Sequence, residues 1–469
     1  MKSISCATAL FALIVSAASS QADDAYEELM KKYAKPVAET PAEVAKKAKT
    51  VKPKKAPKAT RAQAAPKPMT EAPLTAPPPV LTKAEPVNSR VPASAAAPDV
   101  AEDPPGLLGD WGGAKSSMEK VGIKVGLAYK ADTMSNMSGG LKRGTAYLGN
   151  VDLETEFDFE KLVGAKGLTL VLYGLGNHGG TPSTYVGDSQ VTSNIEAKST
   201  FKLYEAYLQQ AMDDRFFILL GLRDLNADYY ATETSGYFIN SSFGISKSIS
   251  QSGVNGPSIF PTTALALNFK YNSPNAFYFQ SGIFNAQAGD PAQPYGTQIT
   301  NATHEGHLMI WETGWSKDEC KTAIGGWTYT KESAAQDSST DGPHRNYGYY
   351  LLFDHHLTKN LTAFVRWGIA SPTVNQFEAA QEFGLGYKGL FPSRDEDFLG
   401  LGVARTQVSE AYERVNASEV SETAIELTYQ FHFPRGIMIQ PDIQYVMNPS
   451  VTSTTKDATV GTLRFEVEF

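Results

Sequence analysis

Polar and apolar residues alternate along many short segments of this chain, and this alternation constrains the fold more than any other feature. From Leu463 to Phe469 every odd-numbered residue is apolar and every even-numbered residue is polar. A period of two places the apolar side chains on one face of a β-strand. The pattern predicts sixteen strands, near residues 123–131, 147–160, 167–177, 201–210, 215–222, 263–271, 276–284, 307–316, 321–330, 346–355, 361–370, 382–390, 397–405, 421–433, 436–446 and 460–469.

The connections between the predicted strands alternate between short and long. Short connections include MDD, NSPN and KDEC, whereas long connections begin near Asp132, His178, Arg223, Asn285, Lys331, Ser371, Thr406 and Met447. An outer-membrane barrel keeps this rhythm, with short turns toward the periplasm and long loops outside, and a soluble sandwich has no reason to do so. No apolar run reaches the ~18 residues that a spanning helix needs. We therefore predict an all-β fold, a transmembrane antiparallel β-barrel of about sixteen strands.

The two faces of the predicted strands differ in polarity. In the segment TAIELTYQFHF, Ile425, Leu427 and Tyr429 share one face, while Glu426 and Gln430 lie on the other. A polar inner face is typical of a barrel that encloses an aqueous channel, because sixteen strands leave the interior too wide to be filled by side chains alone.

The N-terminal region has a different composition from the rest of the chain. Residues 1–22 predict a secretory signal peptide, because a short apolar stretch follows Lys2 and ends in small residues. Residues 23–105 are rich in Lys, Pro and Ala and predict a periplasmic arm and linker, disordered but partly helical near its start. The barrel domain is expected to occupy residues 106–469, with a brief helix over Asp110–Lys120 before the first strand.

Charge is distributed unevenly along the chain. Residues 23–100 carry fourteen Lys and Arg and nine acidic residues, a net charge of +5, which leaves −14 for residues 101–469 of the formal total of −8. An acidic body with an export signal makes nucleic acid an unexpected partner. The basic arm has two interpretations, a solvated tether or a segment that contacts the anionic peptidoglycan.

Five sequence segments together resemble those of the carbohydrate-selective porin family, the OprB type. They are LLGDWGGAKSSMEKVGI (107–123), LYEAYLQQ (203–210), GLRDLNADY (221–229), GYKGLFPSRDEDFLGLGV (386–403) and IELTYQFHFPRGIMIQPDIQYVMNP (425–449). The resemblance implies a sixteen-stranded pore in the lipid of the bacterial outer membrane, through which small sugars diffuse passively. It also implies that the barrel-assembly machinery reads the aromatic Phe469, and it does not extend to residues 23–105.

A sugar pore needs a narrow, wet constriction where hydroxyl groups exchange water for side-chain donors and acceptors. The strongest candidate lies where the fifth strand meets the longest connection, residues 223–262, whose segment GYFINSSFGIS is expected to fold inward. The predicted constriction comprises Glu205, Tyr207, Gln209, Arg223, Asp224, Asn226 and Asp228. Two alternatives stay open, namely an ordinary ion pair between Glu205 and Arg223 that sets strand register, and turn formation by the three residues after Arg223. Strict alternation also predicts Leu203 inside the barrel and Tyr204 outside.

Other clusters of polar residues do not indicate catalysis. The segment SRDED (393–397) falls in a predicted short turn, so its acidic residues are expected to be solvated. His355 and His356 are adjacent on a strand and face opposite ways, which argues against a shared metal ion. We expect no enzyme activity, no metal and no cofactor.

Three functions are compatible with the sequence. Passive diffusion of carbohydrates is the first, and anchoring of the envelope to peptidoglycan through the basic arm is the second. The third is a porin with a different solute preference. The sequence does not decide which sugar passes, or whether the barrel is a monomer or a homo-oligomer such as a trimer.

Overall fold

The computed structural model describes residues 106–469 except 291, 298, 300–304, 338–341 and 417. The predicted signal peptide (1–22) and the basic arm and linker (23–105) lie outside the described residues. Everything stated below about the structure concerns the described part of the chain.

Sixteen antiparallel strands form one closed barrel, in which every strand pairs with its neighbours in sequence. The first and last strands close it, with Ala128 opposite Glu468 and Gly140 opposite Lys456. The predicted fold class is therefore confirmed. The strands are β1 Ile123–Gly140, β2 Gly144–Asp158, β3 Leu168–Gly179, β4 Thr200–Met212, β5 Phe216–Arg223, β6 Ala264–Asn272, β7 Phe277–Asn285, β8 His307–Lys317, β9 Cys320–Tyr329, β10 Tyr347–His356, β11 Leu361–Ala370, β12 Phe377–Lys388, β13 Phe398–Val408, β14 Ser421–Phe433, β15 Ile437–Met447 and β16 Lys456–Glu468.

Apolar side chains cover the outside of the barrel. Positions that alternate with buried polar ones are exposed on the outer wall, including Leu220, Ile324, Val365, Leu385, Leu401, Leu427, Ile443 and Leu463. Adjacent residues on β14 illustrate the alternation, because Glu426 is fully buried whereas Leu427 is 47% exposed. An apolar outer band with polar residues inside is the arrangement that a barrel in a bilayer requires.

One end of the barrel carries short turns and the other carries the longer loops. The prediction of the first long connection is wrong. We predicted a loop from Asp132 to about residue 146, whereas β1 continues to Gly140 and only three residues separate it from β2. The extra residues stay in the ladder because Met134 pairs with Ala146 and Asn136 with Gly144. The connection is a long hairpin rather than a loop.

Helices are short and lie in the connections or before β1. They are a 3-10 turn at Trp111–Gly113, α1 Ala114–Lys120, α2 Phe159–Val163, α3 Ser183–Val186, α4 Lys247–Ser250, α5 Glu410–Asn416, and further 3-10 turns at Leu225–Ala227, Thr234–Tyr237, Ser241–Phe243 and Pro449–Val451. The brief helix predicted before β1 is present. None of the described helices is long and apolar enough to cross a membrane.

The turn that contains SRDED is more ordered than the sequence suggested. Asp395 and Glu396 are exposed, as expected for solvated turn residues, but Asp397 is 1% exposed, contrary to that expectation. Its carboxylate accepts hydrogen bonds from Tyr429 Oη at 2.9 Å and from the His432 backbone at 3.0 Å, and it forms an ion pair with Arg394. These bonds give Asp397 a structural role, tying the turn between β12 and β13 to β14.

Candidate functional site in the barrel lumen

Two loops fold into the barrel at its long-loop end. We call residues 180–199 the second loop and residues 224–263 the third loop, counting from the β1–β2 connection. Most of the third loop is buried, including Tyr229, Phe238 and Phe243, which are fully buried. The third loop therefore folds inward, as the sequence predicted for this connection.

Carboxylates on the inner wall hold the third loop by its backbone. Glu312 on β8 accepts the N–H of Tyr230 at 2.9 Å, and Asp354 on β10 accepts that of Thr234 at 2.7 Å. Glu426 on β14 accepts two further backbone N–H groups, from residues 239 and 240, at 2.6 and 2.9 Å. Because these carboxylates accept hydrogen bonds from buried backbone N–H groups, the loop can pack inside the barrel without leaving those N–H groups unpaired.

Arg366 on β11 is the central cation of this attachment. Its guanidinium donates to Ser235 Oγ at 2.7 Å, to the Ser242 carbonyl at 3.0 Å and also to the Phe243 carbonyl. It lies 4.6 Å from the centre of the Tyr230 ring and is fully buried. One wall residue thus binds three separate positions of the third loop.

The second loop is attached to the wall near the point where the barrel closes, and it shares β14 with the third loop, since Glu422 accepts the Ser189 and Gln190 N–H groups at 2.8 and 2.7 Å. Arg464 on β16 pairs with Asp132 on β1 at 2.7 Å, and its Nη2 also donates to Asn194 of the loop at 2.6 Å. The two loops also join each other, since the Asn194 N–H donates to the Ile239 carbonyl at 2.8 Å. Together they fill much of the long-loop half of the barrel.

A large internal space lies in the short-turn half of the barrel. It is a cavity of about 1630 Å³, which we call the vestibule, and its lining comes from the inner faces of β1–β9 and β16, the short turns, the segment before β1 and the start of the third loop. All seven residues predicted from the sequence line it, namely Glu205, Tyr207, Gln209, Arg223, Asp224, Asn226 and Asp228. The structure therefore brings the whole predicted set to one surface.

Arg223 is the centre of this group. Its Nη1 lies 2.9 Å from Glu205 Oε1, and its Nε lies 2.9 Å from Asp228 Oδ2. The guanidinium also lies over the Tyr207 ring, 4.6 Å from the ring centre. The ion pair with Glu205 spans β4 and β5, so the register-setting interpretation and a role at the vestibule surface describe the same contact.

The residues after Arg223 serve partly as turn formers. Asp224 accepts the Asn226 N–H at 2.8 Å and the Tyr204 hydroxyl at 2.5 Å, and Asn226 donates to the Tyr229 carbonyl at 3.1 Å. Asp228 instead points to Arg223. Burial raises the pKa of Asp228, but the positive charges of Arg223, Lys270 and Lys321 together with the hydrogen bond from Arg223 outweigh burial and hold the pKa below its usual range.

Strict alternation fails at one point on β4. The sequence predicted Leu203 inside and Tyr204 outside, whereas Leu203 is 39% exposed on the outer wall and Tyr204 is buried. The register against β3 shifts here, because Tyr173 pairs with Glu205 while Gly174 pairs with Leu203. The additional residue, Tyr204, forms a β-bulge that lets consecutive side chains both point inward.

The sequence prediction missed the other walls of the vestibule. Lys270 on β6, Gln280 on β7 and Lys321 on β9 line it, as do Asp152 and Glu154 on β2. Their alternation with outward apolar residues was a readable signal for the inner face. The sequence gives no signal for which strands meet across the lumen, so these residues were not grouped with Arg223.

Comparison with known proteins agrees with this architecture. Residues 142–469 match the model of the carbohydrate-selective porin, OprB family. Porin B of Pseudomonas aeruginosa is 22% identical over 420 residues, which cover 77% of this chain and 91% of that protein. Putative porin QuiX of Acinetobacter baylyi is 21% identical over 417 residues, covering 77% and 93% of the two chains.

A solved structure shares the fold. The high-pH structure of Pseudomonas putida OprB superposes with a TM-score of 0.71 at 20% identity, covering 79% of this chain and 100% of that one. The match includes the closed barrel described above.

Proposed function

Because this chain belongs to the carbohydrate-selective porin family and forms an outer-membrane channel, we propose that sugars crossing it contact the Arg223 cluster of the vestibule. The protein is a porin for passive diffusion of carbohydrates, so no covalent step is involved. The proposal concerns where the wall contacts the solute. The cluster consists of Glu205, Tyr207, Gln209, Arg223, Asp224, Asn226 and Asp228.

The chemistry of the cluster suits uncharged, hydroxyl-rich solutes. Arg223 carries five N–H donors in one plane, and its two carboxylate partners leave further donor capacity. Gln209 adds an amide with both a donor and an acceptor, while Tyr207 adds an aromatic ring. A sugar that leaves bulk water can replace its lost hydrogen bonds here without a net charge of its own.

One observation carries the proposal. Arg223 stands where the wall of the vestibule meets the root of the inward third loop, and its carboxylate partners come from both, Glu205 from β4 and Asp228 from the loop. Since the third loop is packed against the wall by buried hydrogen bonds, the cluster is held in a fixed position. Fixed polar groups at a restricted place in a wet lumen are what solute selection requires.

Single-channel recording tests the proposal. Glucose added to either compartment is expected to block ion current in the parent protein, and Arg223→Ala should weaken this block while the channel stays open. Glu205→Gln should alter the block less, because Arg223 keeps Asp228 as a partner. Arg143→Ala is the matched control, since this Arg is exposed in the β1–β2 turn away from the vestibule. Unchanged block in a folded Arg223 variant would move the sugar contact elsewhere.

We further propose that residues 23–105 are a periplasmic arm that binds peptidoglycan. The support is the +5 charge of residues 23–100 and the position of the first described residues, since the Leu107 N–H donates to the Glu468 carbonyl at 2.7 Å at the short-turn end. We also propose that the barrel-assembly machinery recognises Phe469 and that the barrel forms a homo-oligomer.

Deletion of residues 23–100 tests the arm and the domain boundary together. The truncated protein should keep its conductance and its glucose block, while its co-sedimentation with peptidoglycan should fall. Added salt should weaken the co-sedimentation of the full chain, because Lys–anion attraction is screened. Loss of the folded barrel would place the boundary elsewhere, and unchanged co-sedimentation would leave the arm as a linker.

A further inference from the structure

The vestibule carries an excess of negative charge. Its lining includes fourteen Asp and Glu side chains but seven Lys and Arg side chains, a formal difference of −7. A solute in the channel responds mainly to the charges that face the cavity. The net charge of −14 for residues 101–469 does not distinguish these charges from those on the outer surface. The vestibule places the excess on the transport path itself.

Ion pairs compensate three of the seven bases that line the vestibule. Arg223 pairs with two carboxylates, Lys321 lies 2.8 Å from Glu312, and Lys130 lies 3.5 Å from Glu466. Glu312 is fully buried and also accepts bonds from the third loop, so its charge faces Lys321 rather than the cavity. The other four bases of the lining, Lys115, Lys124, Arg215 and Lys270, form no ion pair among the described residues, and their charges are already counted in the difference of −7.

Glu154 on β2 is in the opposite situation. Its side chain lines the vestibule and is exposed, and within the described part of the chain it has no hydrogen bond or ion pair. Glu154 pairs with Tyr173 on β3, and Tyr173 pairs with Glu205 on β4, so Glu154 lies in register with the Arg223 cluster. Glu154 is therefore a carboxylate that presents an uncompensated charge to the solute.

We propose that Glu154 and the acidic lining of the vestibule make the channel favour cationic over anionic solutes, so that protonated amino sugars pass faster than sugar acids. This inference rests on the proposed sugar pathway and adds charge discrimination to it. By Coulomb's law, one charge about 8 Å from a monovalent solute in water changes its local concentration roughly twofold. The difference between a cation and an anion is then about fivefold for Glu154 alone.

The experiment compares three solutes of one size class in proteoliposomes. Entry of radiolabelled glucosamine, glucose and glucuronate is measured at about pH 6, where the amine is protonated, and the reversal potential is measured in a KCl gradient. We expect the entry rates to fall in that order and the reversal potential to show cation preference. Higher ionic strength should reduce the differences among the three entry rates, because the Debye length shortens from about 30 Å at 0.01 M to about 3 Å at 1 M.

Variants separate charge in the lumen from charge on the surface. Glu154→Gln should reduce the glucosamine-to-glucuronate ratio about fivefold, and Glu154→Lys should reduce it further. Asp318→Asn is the control, since it removes one charge from an exposed turn at the same end without lining the vestibule. It should leave the ratio unchanged.

Each outcome separates this inference from the function. Equal entry of glucosamine and glucuronate, with glucose still entering, would overturn the charge discrimination and leave the sugar pathway intact. An equal effect of Asp318→Asn and Glu154→Gln would also overturn it, because surface charge would then suffice. Failure of glucose to enter would instead contradict the sugar pathway itself.

Discussion

The two halves of the lumen use the same residue types for different purposes. In the long-loop half, Glu312 and Glu426 are fully buried and accept backbone N–H groups of the third loop. In the vestibule, Glu154 occupies an equivalent inward position but faces open space. An inward carboxylate on a barrel strand is therefore structural where a loop reaches it and is available to solutes where none does.

Two arginines, Arg366 and Arg223, show the same difference between the two halves of the lumen. Arg366 is enclosed by the third loop and binds Ser235 and two backbone carbonyls, whereas Arg223 lies at the vestibule surface and pairs with side-chain carboxylates. Backbone partners fix the shape of a loop, while side-chain partners leave donors for a solute. Substitutions in the first group should change stability, and those in the second should change permeation.

Arg366→Ala should have the largest effect. The substitution leaves Glu382, whose carboxylate lies 3.6 Å from the guanidinium, buried without its cation and leaves two loop carbonyls without this donor. Removing one partner of a buried pair costs about 3–5 kcal/mol. We expect the folded band in a heat-modification gel to convert at a lower temperature and the third loop to become sensitive to protease.

Arg405→Ala is the control for this variant. Arg405 on β13 is half-buried, and its partners among the described residues are Ser421 Oγ at 3.2 Å and Gln381 Oε1 at 3.4 Å. Its loss should shift the conversion temperature much less. Equal shifts in the two variants would remove the distinction between enclosed and surface arginines.

The same substitution, Glu→Gln, can be made in both halves of the lumen, at Glu312 and at Glu154, and the two losses of folding stability compared. Glu312 accepts bonds from the Tyr230 N–H and from Tyr278 and Tyr350 hydroxyls, and it pairs with Lys321. Loss of a hydrogen bond to a charged group costs about 1.5–3 kcal/mol. The Glu154 variant should stay within about 0.5 kcal/mol of the parent in denaturant unfolding. A comparable loss in both variants would contradict the assignment of Glu154 to the solute surface.

The strands could be predicted from the sequence because the bilayer and the lumen impose a period of two. The alternation weakens from Asp132 to Gly140, because Ser, Asn, Gly and Thr stand at positions where apolar residues would be expected. The hydropathy of this segment therefore did not indicate that β1 continues. The bulge at Tyr204 was also invisible, because alternation assumes an uninterrupted register. A bulge is set by pairing with β3, which is not local information.

The vestibule could be predicted only along β4, β5 and the loop between β5 and β6. These residues are close in sequence, so the hairpin alone brings Glu205 to Arg223. Lys270, Lys321 and Glu154 meet the same cavity through closure of the whole barrel. The buried pairing of Asp397 depends similarly on contact between a turn and β14, which its acidic composition concealed.

The second loop should loosen as pH rises. Burial raises the pKa of Glu196 to about 8 and that of Asp188 to about 6, while burial lowers the pKa of Lys247 in the third loop to about 8. Glu422 on β14 faces the same group of charges. The folded state binds the protons of these carboxyl groups more tightly than the unfolded state does. The contribution of the protonated carboxyl groups to folding stability is therefore lost as pH rises toward about 8. The Lys247 contribution changes only above that window.

A spin label at Thr184→Cys, with Cys320→Ser, reports this change. Thr184 is exposed on the second loop, so the label does not disturb packing. Its mobility should increase between about pH 5 and pH 8, and Glu196→Gln should flatten the response because it keeps a neutral group at every pH. The same label at Lys161→Cys, on the exposed short-turn end, should show no such dependence. A response that persists in Glu196→Gln would assign the change to other groups.

Tyr207 should give the smallest effect, and its variants define what the vestibule contributes. The ring lies under the Arg223 guanidinium at 4.6 Å, an arrangement worth about 0.5–1 kcal/mol at an accessible site. Tyr207→Leu should therefore weaken glucose block about two- to fivefold, whereas Tyr207→Phe keeps the ring and should stay near the parent. Because Tyr207 forms no hydrogen bond with loop backbone among the described residues, neither variant should lower the conversion temperature as Arg366→Ala does. Destabilisation by Tyr207→Leu with unchanged block would show that the vestibule wall is structural too, and the contrast between the two halves would fail.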